Sequence, residues 1–130
     1  MATKQVIVMR KDLGMRKGKM ISQGAHASKG TLTKNGTIER RDGKIFFVAE
    51  IDEKYAEWLE SSYKKITLYV KSEEELYAIY ENALKNNLRA ILIIDNGDTE
   101  FHGTKTPTCV AIGPDDEEKI DVVTGELDLL

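Results

Sequence analysis

Residues Ala90-Ile91-Leu92-Ile93-Ile94 form an apolar run without polar alternation. A half-solvated strand alternates every two residues and an amphipathic helix every three to four. An unbroken run this short therefore reads as a strand covered on both faces. That demands helices on both sides of a sheet and predicts that the run lies at the sheet centre. It ends on Asp95-Asn96-Gly97-Asp98-Thr99. Loops at the carboxyl ends of strands are where open α/β sheets hold ligands.

The other segments fit a layered α/β chain. Further strands are predicted over Lys4–Met9, Lys65–Val70 and Thr108–Ile112, the last ended by Gly113-Pro114. A helix over Gly18–Lys29 would bury Met20, Ala27, Ile21 and Gly24 and stop at Gly30 in the usual C′ manner. A second, over Glu53–Ser62, is capped by Asp52 and carries Tyr55, Trp58 and Leu59 as its apolar stripe, which makes Trp58 a packing residue. A third, over Glu73–Asn86, opens on Ser72-Glu73-Glu74-Glu75, a capping box, and closes on Asn86-Asn87. Asp115 would cap a short last helix. A crossover through the third helix makes Lys65–Val70 and Ala90–Ile94 parallel. Within about residues 31–50, Asn35-Gly36 and Asp42-Gly43 are tight-turn signals, and a small β-hairpin is predicted around Asp42-Gly43. The whole, residues 1–130, is read as one domain.

Composition narrows the classes. No apolar run approaches the ~18 residues that span a bilayer, and no signal peptide is read before the first strand. Cys109 is the only cysteine, so no internal disulfide can form, which suits a reducing cytosol. Two histidines, His26 and His102, without zinc spacing, predict no metal site. A net charge of −3 alone argues against nucleic acid, but its distribution does not. Residues 1–45 carry 11 Lys/Arg and 3 Asp/Glu, a balance of +8; residues 46–130 carry 8 and 19, a balance of −11. One cationic face can result.

The cations gather between Arg10 and Lys29, where a strand, a glycine-containing loop and a helix start follow one another. Unpaired N–H groups and the macrodipole favour anions at such a helix start. Arg10, Lys11, Arg16, Lys17 and Lys19 would surround the point, so phosphate is the expected ligand. A P-loop is excluded: only three residues separate Gly14 and Gly18, and Met20 stands where the magnesium-binding hydroxyl belongs.

Three polar sets can carry chemistry: Lys19 with the loop cations; Asp95, Gly97 and Thr99; and Thr104, Thr106 and Thr108. A carboxylate beside a lysine and hydroxyls can orient or deprotonate water while the lysine stabilises an oxyanion. Asp-Asn-Gly-Asp is also a good turn that needs no chemistry, and spacing alone favours that reading. Cys109, inside an apolar strand, reads as inert core. His26 can hydrogen-bond locally or line the site.

The chain resembles the peptidyl-tRNA hydrolases of the archaeal and eukaryotic type, the second of two unrelated hydrolase families. The similarity rests on Arg10, Asp12, Leu13, Met15, Gly18, Lys19, Gln23, His26 and Ala27; on Ser72-Glu73-Glu74-Glu75-Leu76; on Asp95, Gly97 and Thr99; and on Thr108, Ala111-Ile112-Gly113-Pro114, Lys119-Ile120-Asp121 and Val123-Thr124-Gly125. It covers most of the chain outside residues 31–55. It implies a four-stranded mixed sheet flanked by about four helices, commonly dimeric, to which the hairpin is an addition. It implies metal-independent hydrolysis, without a cofactor, of the ester joining a peptide to the 3′ end of tRNA, in the cytoplasm. Lys19, Asp95, Thr99 and Thr108 are the implied catalytic residues. Arg10, Arg16, Lys17, Gln23 and His26 are expected to bind substrate. Asp95 would orient or activate water, held by Thr99 and Thr108.

Two other readings share these residues. A non-catalytic relative would bind tRNA or another RNA through the same basic loop, and its affinity would survive Asp95→Asn. A scaffold domain would show no preference for tRNA.

Overall fold

The computed structural model describes residues 2–130. Its elements are β1 (Thr3–Arg10), α1 (Lys17–Thr33), β2 (Gly36–Arg41), β3 (Lys44–Ala49), α2 (Glu53–Glu60), β4 (Lys65–Val70), α3 (Glu73–Lys85), β5 (Ala90–Asp95), β6 (Thr106–Asp116) and α4 (Glu117–Thr124). Four strands make a mixed sheet in the order β4-β1-β6-β5, and β2 and β3 form a separate hairpin. β1 runs parallel to β4 and antiparallel to β6, and β6 runs antiparallel to β5. Hence β4 and β5 point the same way, as expected, but at opposite edges of the sheet.

The two core layers follow from strand alternation. Val6 and Val8 of β1 and Val110 and Ile112 of β6 join Leu76 and Ala83 of α3 and Ile120 and Val123 of α4. Ile7 and Met9, with Cys109 and Ala111, face Ala27 of α1. Central β1 and β6 are thus buried on both faces.

Ala90–Ile94 is not the central strand. β5 pairs only with β6, and Ile94 is half exposed. The run is apolar because α1 and α3 both reach it; coverage of two faces does not require two neighbouring strands.

Helix α1 also departs from expectation, running through Gly30 to Thr33. A Cβ at Gly30 would lie 3.2 Å from Ile91 Cγ2, so this glycine serves close packing of α1 on β5 and does not end the helix. Ile21 turns outward, 72% exposed. Leu59 likewise stays exposed while Tyr55 and Trp58 are buried. β6 continues through Gly113-Pro114 to Asp116, pairing Asp115 and Asp116 with Lys4 and Thr3. Helix α4 therefore starts after Asp116, and the Asp115 carboxylate accepts from Asp116 N instead of capping.

Two caps form as read. Asp52 accepts from Tyr55 N and Ser72 from Glu75 N; Glu75 reaches back to Lys71 N, one residue before the position a capping box prescribes. The hairpin turns at Asp42 and Gly43, with φ of 51° and 74°, a two-residue turn of the type Asp-Gly favours.

Candidate active site

The amino end of α1 meets the carboxyl end of β5. β1 ends at Arg10, the chain turns through Gly14 at φ 65°, and α1 begins with Arg16 at its N-cap and no side-chain cap. Its first turn holds no acidic residue, and the Glu100 carboxylate lies 3.6 Å from the Arg16 side chain. Lys19, in that turn, points to the end of β5. Lys19 Nζ lies 2.8 Å from Asp95 Oδ1 and donates to Thr99 Oγ1 at 2.7 Å. One helical turn on, Gln23 Nε2 donates to the same Asp95 oxygen at 3.2 Å. Gly97 N donates to Asp95 Oδ2 at 2.8 Å. At φ 85°, Gly97 occupies a conformation that suits glycine, and a Cβ there would sit 2.6 Å from Thr104 N and O.

Thr108 completes the set through a backbone irregularity. The β5–β6 register pairs Ile93 with Cys109 but Ile94 with Pro107, so Thr108 is the extra residue of a β-bulge. By strict alternation it would share the face of Val110 and Ile112, away from α1. The bulge turns it instead toward α1, where its hydroxyl donates to Gln23 Oε1 at 2.5 Å. Its neighbour Cys109 donates on the same side to Gln23 O at 3.4 Å. A continuous chain of hydrogen bonds results: Thr108 to Gln23, Gln23 to Asp95, and Lys19 to both Asp95 and Thr99.

The electrostatics follow from this geometry. The Lys19 ammonium, then the Gly97 N–H and Gln23 amide, hold the Asp95 carboxyl below its ordinary 3.8, outweighing the burial that raises it. Asp95 is therefore an anion at neutral pH. Burial pushes the Cys109 thiol up to about 12, so it is no nucleophile.

Thr99 contacts Lys19, and Thr108 acts through Gln23; neither holds Asp95 directly as expected. Thr104 and Thr106 stay out: the Thr106 hydroxyl bonds Thr104 O. Arg16 is 89% exposed, with Glu100 at 3.6 Å, and Lys17 is exposed beside it. His26 lies exposed on α1, two turns after Lys19. Arg10 does not join the exposed cations. Its guanidinium grips Asp12 at 2.6 and 3.2 Å and donates to Pro107 O at 3.1 Å, and it is buried. Asp12 is held below its usual range by that contact. Lys11 stacks over Tyr69 of β4.

Phe101, not singled out by the sequence, packs with Met15, Met20 and Ile93, and its ring lies 5.8 Å from Lys19 Nζ. An isolated aromatic in a polar loop gives no periodic signal. Among the described residues no group of His, Cys, Asp and Glu is placed to hold a metal ion, and no helix is long and apolar enough to cross a membrane.

The chain matches the family model described as peptidyl-tRNA hydrolase PTH2 over residues 3–130. A peptidyl-tRNA hydrolase of Methanocaldococcus jannaschii is 43% identical over 128 residues, covering 98% of this chain and 99% of that one. One of Methanopyrus kandleri is 40% identical over 127 residues, covering 98% and 97%. One of Sulfurisphaera tokodaii is 39% identical over 130 residues, covering both chains fully. Motifs and whole-length similarity agree, and the chain belongs to the PTH2 family of peptidyl-tRNA hydrolases.

Proposed function

We infer that this protein hydrolyses the ester between a peptide and the 3′ end of tRNA at the Lys19–Asp95 cluster, without a metal. The observation that carries the assignment of roles is the unused hydrogen-bonding capacity of that pair. Lys19 has three N–H donors and gives two, to Asp95 and Thr99. Among the described residues Asp95 Oδ2 accepts from Gly97 N alone, which leaves a lone pair.

A water held by that lone pair would attack the ester carbonyl carbon. The third Lys19 donor would meet the carbonyl oxygen as it becomes an oxyanion. The new carbon–oxygen bond forms, the bond to the ribose oxygen breaks, and the proton lost by water ends on that ribose oxygen. A carboxylate with a depressed pKa is a weak base, so Asp95 serves chiefly to orient the water. Arg16 and Lys17, exposed beside the uncapped start of α1, suit the phosphates of the acceptor end, with His26 farther along the helix.

The test is release of an N-acetylated amino acid from tRNA in excess EDTA, with Asp95→Asn alongside. Release by the parent and loss in the variant is expected. A folded parent that binds tRNA without releasing the amino acid would make the protein a non-catalytic RNA binder.

A groove of about 650 Å³ between α1 and β4 is lined by Ile7, Met9, Met20, Ile21 and Leu130. We assign it to a second copy of the chain, because exposed Ile21 extends its apolar lining. Sedimentation should show a dimer that Ile21→Glu dissociates. Its place of work is the cytoplasm, where the tRNA is found; cell fractionation tests this.

A further inference from the structure

Between α1 and α2 the chain leaves the α/β body for the β2–β3 hairpin, whose strands pair only with each other. The register sets Gly36, Ile38 and Arg40 opposite Ala49, Phe47 and Ile45 on one face, and Thr37, Glu39 and Arg41 opposite Val48, Phe46 and Lys44 on the other. Among the described residues nothing covers either face. Ile38, Ile45, Phe46, Phe47 and Val48 are 40–66% exposed. A two-stranded ribbon draws little stability from itself, and a contiguous exposed apolar patch marks a binding surface.

The residues between the apolar ones indicate the partner. Each face carries one phenylalanine and one arginine, with Glu39 opposite Phe46 and 3.6 Å from Arg41. The Arg41 guanidinium lies 4.6 Å from the centre of the Phe46 ring. The Phe47 ring lies across Gly36, where a Cβ would come within 2.0 Å of Phe47 Cζ, so the missing side chain makes room for it. Arg41 faces Lys44 next to the turn, Arg40 stands on the other face, and exposed Lys34 lies at the base. Protein–protein interfaces favour aromatics and Arg but are depleted in Lys, whereas strands carrying exposed aromatics among both Arg and Lys stack bases and hold phosphates. Position agrees. Along α1 at 1.5 Å per residue, Lys34 lies about 22 Å from Lys19, beyond the reach of one terminal nucleotide but within that of a longer RNA.

We propose that the β2–β3 hairpin is a second RNA contact, gripping the body of the tRNA whose 3′ end lies at Lys19 and Asp95. This rests on the hydrolase reading above.

The experiment compares two substrates, N-acetyl-aminoacyl-tRNA and the same N-acetylated amino acid esterified to adenosine alone. The variants are Arg40→Gln/Arg41→Gln/Lys44→Gln and Phe46→Ser/Phe47→Ser, all at exposed positions, each checked for an unchanged melting temperature. For the tRNA substrate the triple variant should raise KM about tenfold with kcat unchanged. Its log–log salt dependence of binding to deacylated tRNA should flatten by about 2, as lost phosphate contacts release fewer counterions. Turnover of the adenosine ester should not move. The aromatic double variant should weaken tRNA binding without changing the salt slope. Parent-like tRNA KM and salt slope in the triple variant would overturn the proposal. So would a double variant that changes only the state of association, which would give the hairpin to a protein partner. A parent that binds tRNA but cleaves neither substrate overturns the hydrolase reading instead, and the salt slopes still decide whether the hairpin touches RNA.

Discussion

Thr108 Oγ1 donates to Gln23 Oε1 at 2.5 Å, and the amide of Gln23 donates on to Asp95 at 3.2 Å. A buried hydroxyl on β6 thereby fixes which end of the amide faces the carboxylate. Thr108→Val keeps the shape but leaves Gln23 Oε1 without a donor, at a cost of about 1–3 kcal/mol. The amide then loses one of its anchors and keeps the bond to Asp95, so its position against the carboxylate loosens. Steady-state kinetics should show kcat down about tenfold with little change in KM, and Thr108→Ser should restore most of it. A variant that loses KM instead would place Thr108 on the substrate.

Lys19 and Asp95 share a pair in which each side chain is less than 15% exposed. Removing either leaves a desolvated charge and removes a transition-state contact, so each single alanine variant should lose about 10²–10³ in kcat. The double variant should be hardly worse than either single one, because groups acting as a unit are not additive. A double-mutant cycle in kcat measures this; losses that simply multiply would show two independent roles.

The sequence makes this pair legible only in part. Strands, helices and caps can be read because each follows a local rule: an unbroken apolar run at Val6–Met9, Asp52 and Ser72 before helical spacing, Asp42-Gly43 between short apolar runs. The position of β5 at the edge cannot be read, since Ile91 and Ile93 face helices whatever their neighbouring strands. Gly30 looks like a stop until Ile91 is known to lie against it. The face of Thr108 is likewise hidden, because it depends on a bulge set by pairing with β5. The four implied catalytic residues come together through the expected segments, yet Gln23 joins two of them, and no spacing in the chain announces that.

Acid should act on Asp95 later than on an ordinary aspartate. Its folded pKa lies below 3.8, chiefly through Lys19. The ionised form therefore contributes stability that is complete above the unfolded value and is lost as pH falls through the folded one. NMR titration of the Asp95 carboxyl should give a midpoint below 3.8 in the parent. In Lys19→Met the midpoint should move upward, since the largest lowering cause is gone while burial remains. An unchanged midpoint would mean that Gly97 and Gln23 dominate.

Gly97 carries both a positive φ and the N–H that holds Asp95 Oδ2. Gly97→Ala would push a methyl group onto Thr104 N and O, so the loop after β5 must move. A displacement near 1 Å at a reacting group costs about 100-fold in rate. Activity should fall by that order, with a smaller change in the urea midpoint as well, because the loop reaches the α1-side core layer through Phe101. Full activity in Gly97→Ala would show that the Asp95–Gly97 turn plays no part in positioning.

Arg10 and Arg16 lie at the two ends of the same loop and should behave oppositely. Arg10 is buried, bidentate to Asp12 and bonded to Pro107 O, next to Thr108. Arg10→Lys keeps the charge but cannot reproduce that fork, so urea unfolding should show a loss of about 1–3 kcal/mol. The salt dependence of tRNA binding should stay as in the parent. Arg16 is exposed, with Glu100 at 3.6 Å. Arg16→Gln should leave stability within about 0.5 kcal/mol and flatten the log–log salt dependence by about 1, the signature of one lost phosphate contact. If Arg10→Lys flattened the slope while stability held, its guanidinium would have to leave Asp12 for the RNA, and Pro107 would no longer be tied to the end of β1.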